Sequence, residues 1–283
     1  MADAALTPLQ IYGLWAMAGT FAILFVFVGL RGRVPIEPGW GGMAIQRFTG
    51  FERTCHWLLA LSFLGLAATG FARLYAGPLR ALLGTDTLTA LQSIGAPLHN
   101  GLAFVFTLTL AVAFVVWLRH SFPGWRDAVW FGKAGGMLVK GSTPPAGKFN
   151  GGQKVLFWLV ALGGLGMIMT GAGLLTPYRT GMVSKTFGLL ASAGFALPTD
   201  AANLTPAQEV HYARQWHSAL AIGLVCVVMV HLYMRTLGIQ GALSAMTSGQ
   251  IDVNRARQQH SLWAERELTR LEAELPAATT PAE

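Results

Sequence analysis

Four histidines, His56, His99, His217 and His231, lie in stretches of sequence that contain no Asp, Glu, Lys or Arg. A neutral imidazole offers one ring nitrogen as a lone pair and the other as an N–H. Paired imidazoles can bind zinc, copper or haem iron. A bare metal site calls for three or four ligands, with carboxylates or thiolates among them, and these stretches supply no carboxylate. The two cysteines, Cys55 and Cys226, read as small buried hydrophobes rather than ligands or a disulfide. Two histidines per level, facing each other across a helix bundle, suit the axial positions of a b-type haem. No Cys-x-x-Cys-His occurs, which excludes covalent haem attachment of the c type. A single intramembrane histidine can also be a core hydrogen-bonding group or part of a proton relay. His120, His211 and His260 lie outside the charge-free stretches and read as interfacial or tail residues, with His120 and His211 as reserve ligands.

The elements that must position these side chains follow from the same absence of charge. Only 33 of 283 residues are Asp, Glu, Lys or Arg, 12%, while 53% are hydrophobic. An average soluble domain carries about 25% charged residues, so a disordered chain and an ordinary soluble enzyme are both excluded. Five windows are free of charge: 10–30, 54–72, 98–118, 155–178 and 215–234. Each is close to the roughly 20 residues a helix needs to cross a bilayer. The prediction is an all-α, multi-pass membrane protein, with its backbone amides satisfied inside each helix. The net charge of +7 is spread over loops, so no nucleic-acid partner is expected.

Lys and Arg are unevenly shared among the flanking segments. Segments 31–53, 119–154 and 235–283 hold four, six and five; segments 1–9, 73–97 and 179–214 hold none, two and three. By the positive-inside rule the amino terminus lies outside and the carboxyl terminus in the cytoplasm. The first window resembles a signal peptide in hydropathy, but it lacks a basic n-region, carries Asp3 and is followed by Arg31 and Arg33, so it reads as a retained anchor. Segments 73–97 and 179–214 are external and nearly neutral, with apolar stretches such as 186–198 too short to span. Segment 119–154 reads as an internal loop rich in Gly and Pro. From about Gln250 the tail mixes both charge signs at helical spacing and reads as a cytoplasmic helix, fraying over 277–283.

With that topology the histidines sort by depth, His99 with His217 on the outer side and His56 with His231 on the inner. His217 and His231 are fourteen residues apart in sequence. At 100° and 1.5 Å per residue they differ by about 40° in direction and about 21 Å along the axis. One helix thus presents two imidazoles at two depths to two partner helices. Small residues (Gly65, Gly70, Gly101, Gly163, Gly164, Gly166, Gly171, Gly173, Ala219 and Gly223) leave room for a flat macrocycle, although they also permit close helix packing without one. Two haems stacked across a membrane conduct electrons from a donor on one face to an acceptor on the other, and a quinone is the natural lipid-soluble acceptor.

Several stretches resemble the cytochrome b (gamma) subunit of membrane-bound respiratory formate dehydrogenases. Arg47-Phe-Thr-Gly-Phe-Glu-Arg-Thr-Cys-His56-Trp57 is similar to the entry to that family's first core helix. Lys148-Phe-Asn-Gly-Gly-Gln-Lys154, followed by Phe157-Trp158, looks like its internal loop and third core helix. His217 and His231-Leu-Tyr-Met234 resemble its last core helix. The tail resembles it too, through Gly241-Ala-Leu-Ser-Ala-Met246, Ser248-Gly249 and Ala256-Arg257-Gln-Gln-His260-Ser-Leu-Trp263. The resemblance covers roughly residues 45–265. It implies a four-helix transmembrane core with two b-type haems, the outer on His99 and His217 and the inner on His56 and His231. It implies electrons arriving from an iron–sulfur (beta) subunit fed by a molybdenum or tungsten catalytic (alpha) subunit, and leaving to a quinone near Asn150 and His231, with Gln153 as a further quinone candidate. Asn150 can equally be a turn residue before Gly151 and Gly152. Arg53, Lys154 and Arg235 at the inner rim and Arg73 and Arg214 at the outer are candidates for haem propionates, or simply snorkelling anchors.

The expected organisation is an anchor and linker over 1–46, a dihaem core over 47–240 and a cytoplasmic tail over 241–283, in a bacterial cytoplasmic membrane. The first span lies outside the four-helix core of the resembling family. Two other functions fit some of these features. A cytochrome b subunit of a nickel–iron hydrogenase or thiosulfate reductase would share the histidines but less of the tail. A haem-free transporter would place acids or lysines at the membrane midplane, and the spans have none. Formate oxidation itself is not expected on this chain, which lacks cluster-binding cysteines.

Overall fold

In the computed structural model, residues 6–138, 143–176, 181–196 and 203–274 are described. The helices are α1 (Pro8–Arg31), α2 (Gly50–Leu74), α3 (Ala76–Leu83), α4 (Thr85–Ser121), α5 (Trp125–Gly132), α6 (Gly151–Leu175), α7 (Met182–Ser192), α8 (Pro206–Tyr233), α9 (Ser244–Thr247) and α10 (Val253–Glu274). Two short strands, β1 (Ala44–Gln46) and β2 (Gln250–Asp252), pair antiparallel. Among the described residues five helical segments are long and apolar enough to cross a membrane: α1, α2, α4, α6 and α8 with its continuation to Gly238. These correspond to the five charge-free windows; α2, α4 and the α8 segment to Gly238 extend beyond theirs at both ends, while α6 begins earlier than its window and ends at Leu175.

The extensions carry information that charge alone did not. α4 runs for 37 residues and contains Pro97, about 55 Å at 1.5 Å per residue. Segment 73–97, expected to be external, is therefore helical for most of its length, in α3 and the first part of α4. α7 covers the apolar stretch around 186–192 and at 11 residues is too short to span. Residues 119–154, expected as a loop, hold α5 and a 3₁₀ turn at Ala134–Gly136. The fraying run 277–283 and Asp3 lie outside the described residues.

The chain divides into two compact units. One comprises 1–24, 57–112 and 159–230, and the other 25–56, 113–158 and 231–283. In the first, α1 is fastened to the helix bundle. An added Cβ at Gly13 would lie 2.6 Å from Ile222 Cδ1, so the backbone of α1 comes close to α8. The Tyr75 hydroxyl donates to the Gln10 carbonyl at 3.1 Å, and Gln10 Nε2 donates to the Leu74 carbonyl. The rest of α1 exposes large apolar side chains, with Tyr12, Trp15 and Phe25 each more than 70% exposed; such a surface is stable against lipid. Close packing recurs among α2, α4, α6 and α8. A Cβ at Gly65 would meet Leu102 at 2.5 Å, one at Gly164 would meet Leu110 at 2.6 Å, and one at Gly166 would meet Leu220 at 2.8 Å. These small residues serve helix-to-helix contact.

In the second unit the tail is docked rather than free. β1 and β2 pair with Ile45 opposite Ile251, and both are buried. They form a core with Ala256 and Ala264, covered by Trp263, Leu268 and Leu271. The linker before α2 and the carboxyl-terminal segment thus share one small apolar centre. α10 is broken at His260, whose φ of −147° and ψ of 44° are not helical.

Candidate functional site

In the first unit, α4 and α8 bring His99 and His217 together, with ring centroids 6.3 Å apart and ring planes at 62°. In the second, His56 near the start of α2 and His231 near the end of α8 lie 6.2 Å apart. The sequence-based pairing is therefore the pairing observed. α8 continues without a break from Pro206 to Tyr233 and carries one member of each pair.

The separation fits one metal ion held between two imidazoles. Two metal–nitrogen bonds of about 2 Å, plus about 1 Å from each nitrogen to its ring centre, give about 6 Å. Among the described residues no group of three or more His, Cys, Asp or Glu could hold a metal. The pairs are isolated bis-imidazole sets, as axial haem ligation needs and a bare zinc or copper site does not. At Gly101 and Gly223, both exposed, an added Cβ would meet nothing within 4 Å.

The reserve ligands are occupied elsewhere. His120 packs on Phe149 with centroids 5.9 Å apart and accepts a hydrogen bond from Arg119 Nε. His211 is hydrogen-bonded to Gln215 at 2.9 Å. His260 is fully buried, its Nδ1 3.0 Å from the Gly147 carbonyl. Burial first, and the Arg47 charge next, hold its pKa well below the ordinary 6.5. Neither Cys55 nor Cys226 is in a disulfide among the described residues.

Asn150 caps α6. Its Oδ1 accepts from the Gln153 backbone N–H at 3.1 Å, while Gln153 Oε1 accepts from the Asn150 N–H at 3.1 Å. Gln153 Oε1 also accepts from Arg47 Nη2 at 3.3 Å. Both side chains are thus engaged by the backbone through their amide oxygens, while Asn150 Nδ2 and Gln153 Nε2 donate to no partner among the described residues. A cavity of about 540 Å³ lies beside this cap, lined by Arg119, Arg126, Lys148, Phe149, Gly151 and Arg266 among others. Asn150 does not line it.

The rim cations divide. Lys154 pairs with Asp127 at 2.8 Å, and Arg53 Nη1 donates to the Ser248 carbonyl at 2.6 Å, so both have protein partners. Arg235 sits one turn beyond His231, within a π-helical turn over Met234–Gly238. Arg73 and Arg214 are exposed.

Sequence reasoning missed two residues at the His99–His217 pair. Thr69 Oγ1 lies 2.7 Å from His99 Nδ1, and Thr170 Oγ1 lies 2.9 Å from His217 Nδ1. A signal was present: α2 and α6 both contain Gly-x-x-x-Thr-Gly, as Gly65 to Gly70 and Gly166 to Gly171. It missed Glu52 as well, a buried carboxylate that accepts from Lys148 at 2.7 Å and from Trp117 Nε1 at 3.2 Å.

A family model described as prokaryotic cytochrome b561 matches residues 47–249. The cytochrome b556(fdo) subunit of formate dehydrogenase from Escherichia coli is 25% identical over 221 residues, covering 77% of this chain and 91% of that protein. The nitrate-inducible cytochrome b556(Fdn) subunit of the same species is 26% identical over 232 residues, 81% of this chain and 94% of that protein. The cytochrome b556 subunit of formate dehydrogenase from Haemophilus influenzae is 27% identical over 233 residues, 79% of this chain and 84% of that protein.

Proposed function

The chain belongs to the prokaryotic cytochrome b561 family, and from that premise we propose that it is the dihaem membrane subunit of a formate dehydrogenase, carrying electrons from an iron–sulfur subunit to a membrane quinone. Family membership makes it a b-type cytochrome with spanning helices. The observation that carries the finer reading is the presence of two separate histidine pairs with centroids 6.2 and 6.3 Å apart, which supports two haems rather than one. The relatives named as formate dehydrogenase subunits align over most of both chains, which favours formate as the source of electrons. The uneven spread of Lys and Arg supports an amino terminus outside and a carboxyl terminus in the cytoplasm. On that orientation His99 and His217 form the outer pair and His56 and His231 the inner.

A bound b-type haem supplies a one-electron couple at the iron. The chain's own residues do the rest. His56, His99, His217 and His231 offer ring nitrogens within stretches of sequence free of charged residues, where a neutral donor is favoured over a charged one. The surrounding apolar helices keep water from the rings. On the same orientation Asn150 lies toward the cytoplasmic side, and its Nδ2 is a donor available to a quinone carbonyl. Arg235, one turn beyond His231, offers a cation to an anionic group such as a propionate.

Iron and pyridine-haemochrome analysis of the purified chain tests this reading. Two b haems per chain are expected. One haem, or none, overturns it, and a copurifying nickel–iron subunit would move the source of electrons from formate to hydrogen.

A further inference from the structure

Thr69 and Thr170 each make two kinds of hydrogen bond, and counting protons decides their direction. The Thr69 hydroxyl has one proton, and it points to the Gly65 carbonyl, 2.7 Å away, with the Leu66 carbonyl at 3.2 Å. Thr170 does the same toward the Gly166 carbonyl at 2.7 Å and Met167 at 3.2 Å. A carbonyl only accepts, so a hydroxyl proton placed there leaves the threonine oxygen free to accept. The oxygen of Thr69 must then accept from His99 Nδ1, and that of Thr170 from His217 Nδ1. The threonine oxygen facing each Nδ1 is then an acceptor, which places the ring proton on Nδ1 and leaves Nε2 bare.

The cradle is built twice from one sequence pattern. In Gly65-Leu-Ala-Ala-Thr69-Gly70 and Gly166-Met-Ile-Met-Thr170-Gly171, the first glycine gives the carbonyl that takes the hydroxyl proton. The last glycine seats the ring. A Cβ on Gly70 would stand 3.5 Å from His99 Cε1, and one on Gly171 would stand 3.4 Å from His217 Cε1. Thr20 and Thr107 make the same hydroxyl bond to a carbonyl four residues back, so that bond alone is ordinary helix behaviour. The second bond, to a ring nitrogen, sets Thr69 and Thr170 apart from it.

We propose that Thr69 and Thr170 are positioning residues that lock His99 and His217 in the Nδ1–H tautomer, so that both present a bare Nε2 to one haem iron. This rests on the reading of the pair as haem ligands. A partner that accepts the Nδ1 proton raises the basicity of the coordinating nitrogen and fixes the plane of the ring. Stronger donation favours the ferric state, so the hydroxyls hold the potential of this haem down.

Thr69→Val and Thr170→Val keep the shape and remove the acceptor; Thr69→Ser and Thr170→Ser restore it. The measurement is a redox titration of the purified full complex, followed by absorbance and by the electron paramagnetic resonance g values of each low-spin ferric haem. The His56–His231 haem serves as the internal control. Two haems in the wild type are required first, and fewer would overturn the haem reading rather than this one. The expected result is an upward shift in potential and altered g values for one haem in the Val variants, with the Ser variants close to wild type. Loss of that haem in Val but not in Ser variants supports the same conclusion. Unchanged potential and g values in the Val variants, or Ser variants that behave like Val, would overturn it.

Discussion

Asn150 and Gln153 exchange hydrogen bonds in both directions across the first turn of α6, Oδ1 of one and Oε1 of the other each accepting the partner's backbone N–H at 3.1 Å. This is a capping box, which satisfies two amides that the helix itself cannot. A residue that caps a helix is held rigidly, and its remaining polar atom points in a fixed direction. The cap uses the amide oxygen of Asn150 and leaves the Nδ2 donor, so a structural role and a quinone-binding role are compatible in one side chain.

Asn150→Ser separates the two. Serine is an equally good cap but has no amide donor. Stability is expected to stay close to wild type while quinone reduction falls about tenfold, the equivalent of one hydrogen bond of about 1.4 kcal/mol. Asn150→Ala removes both functions and should also cost about 1 kcal/mol of stability. Thermal unfolding and the rate of quinone-driven reoxidation of prereduced protein measure the two effects. Wild-type reoxidation in Asn150→Ser would leave Asn150 as a cap alone.

Much of this arrangement was legible without coordinates because charge is costly in a bilayer. Where no Asp, Glu, Lys or Arg can be tolerated, the windows show themselves, and the histidines left inside them stand out. The fixed rise and turn of a helix then predicted that His217 and His231 face one way, and the pairs His99–His217 and His56–His231 followed from topology. The parts that were not legible depend on contacts between distant segments. Nothing local in Ala44–Gln46 announces a strand, because it is stabilised only by pairing with Gln250–Asp252. The tail's charges suggested a solvated helix, yet Ala256 and Ala264 are fully buried, since the apolar face is narrow and made of alanine. Thr69 and Thr170 look like any threonine in a spanning helix until a ring nitrogen is placed beside them.

Removing one imidazole at a time should dissect the two pairs. His231→Ala is expected to lose the haem of the His56–His231 pair, to abolish quinone reduction and to leave the other haem in place. His99→Ala should do the converse for its own pair and interrupt the delivery of electrons. Reduced-minus-oxidised difference spectra should show about half the wild-type haem amplitude in either variant. A variant that retains both haems would show that its histidine is not an axial ligand.

The ion pair between Lys148 and Glu52 is buried in the second unit, with side chains 13% and 9% exposed and an N–O distance of 2.7 Å. Glu52 also accepts from the Thr49 backbone N–H at 2.9 Å and from Trp117. Lys148→Met strands a buried carboxylate and should cost about 3–5 kcal/mol. The double variant Lys148→Met with Glu52→Gln removes both charges together and should cost less than the sum of the single changes. Denaturation of the detergent-solubilised protein gives the four stabilities. Strict additivity would mean that the pair contributes nothing beyond its separate packing.

His260 should make stability depend on pH. In the native state its ring is 1% exposed and faces the Gly147 carbonyl through Nδ1, and burial together with Arg47 keeps its pKa well below 6.5. In the unfolded chain it protonates near about 6.5. The unfolded state therefore binds more protons on acidification. The stability this neutral histidine contributes is complete above the unfolded pKa and is lost as pH falls from there toward the depressed native value, at up to about 1.4 kcal/mol per pH unit. Unfolding midpoints measured at about pH 7.5 and about pH 5.5 should drop for the wild type. His260→Gln keeps an N–H for the Gly147 carbonyl but cannot titrate, so it should be less stable at the higher pH and lose less on acidification. An equal loss in both proteins would assign the pH dependence to other groups.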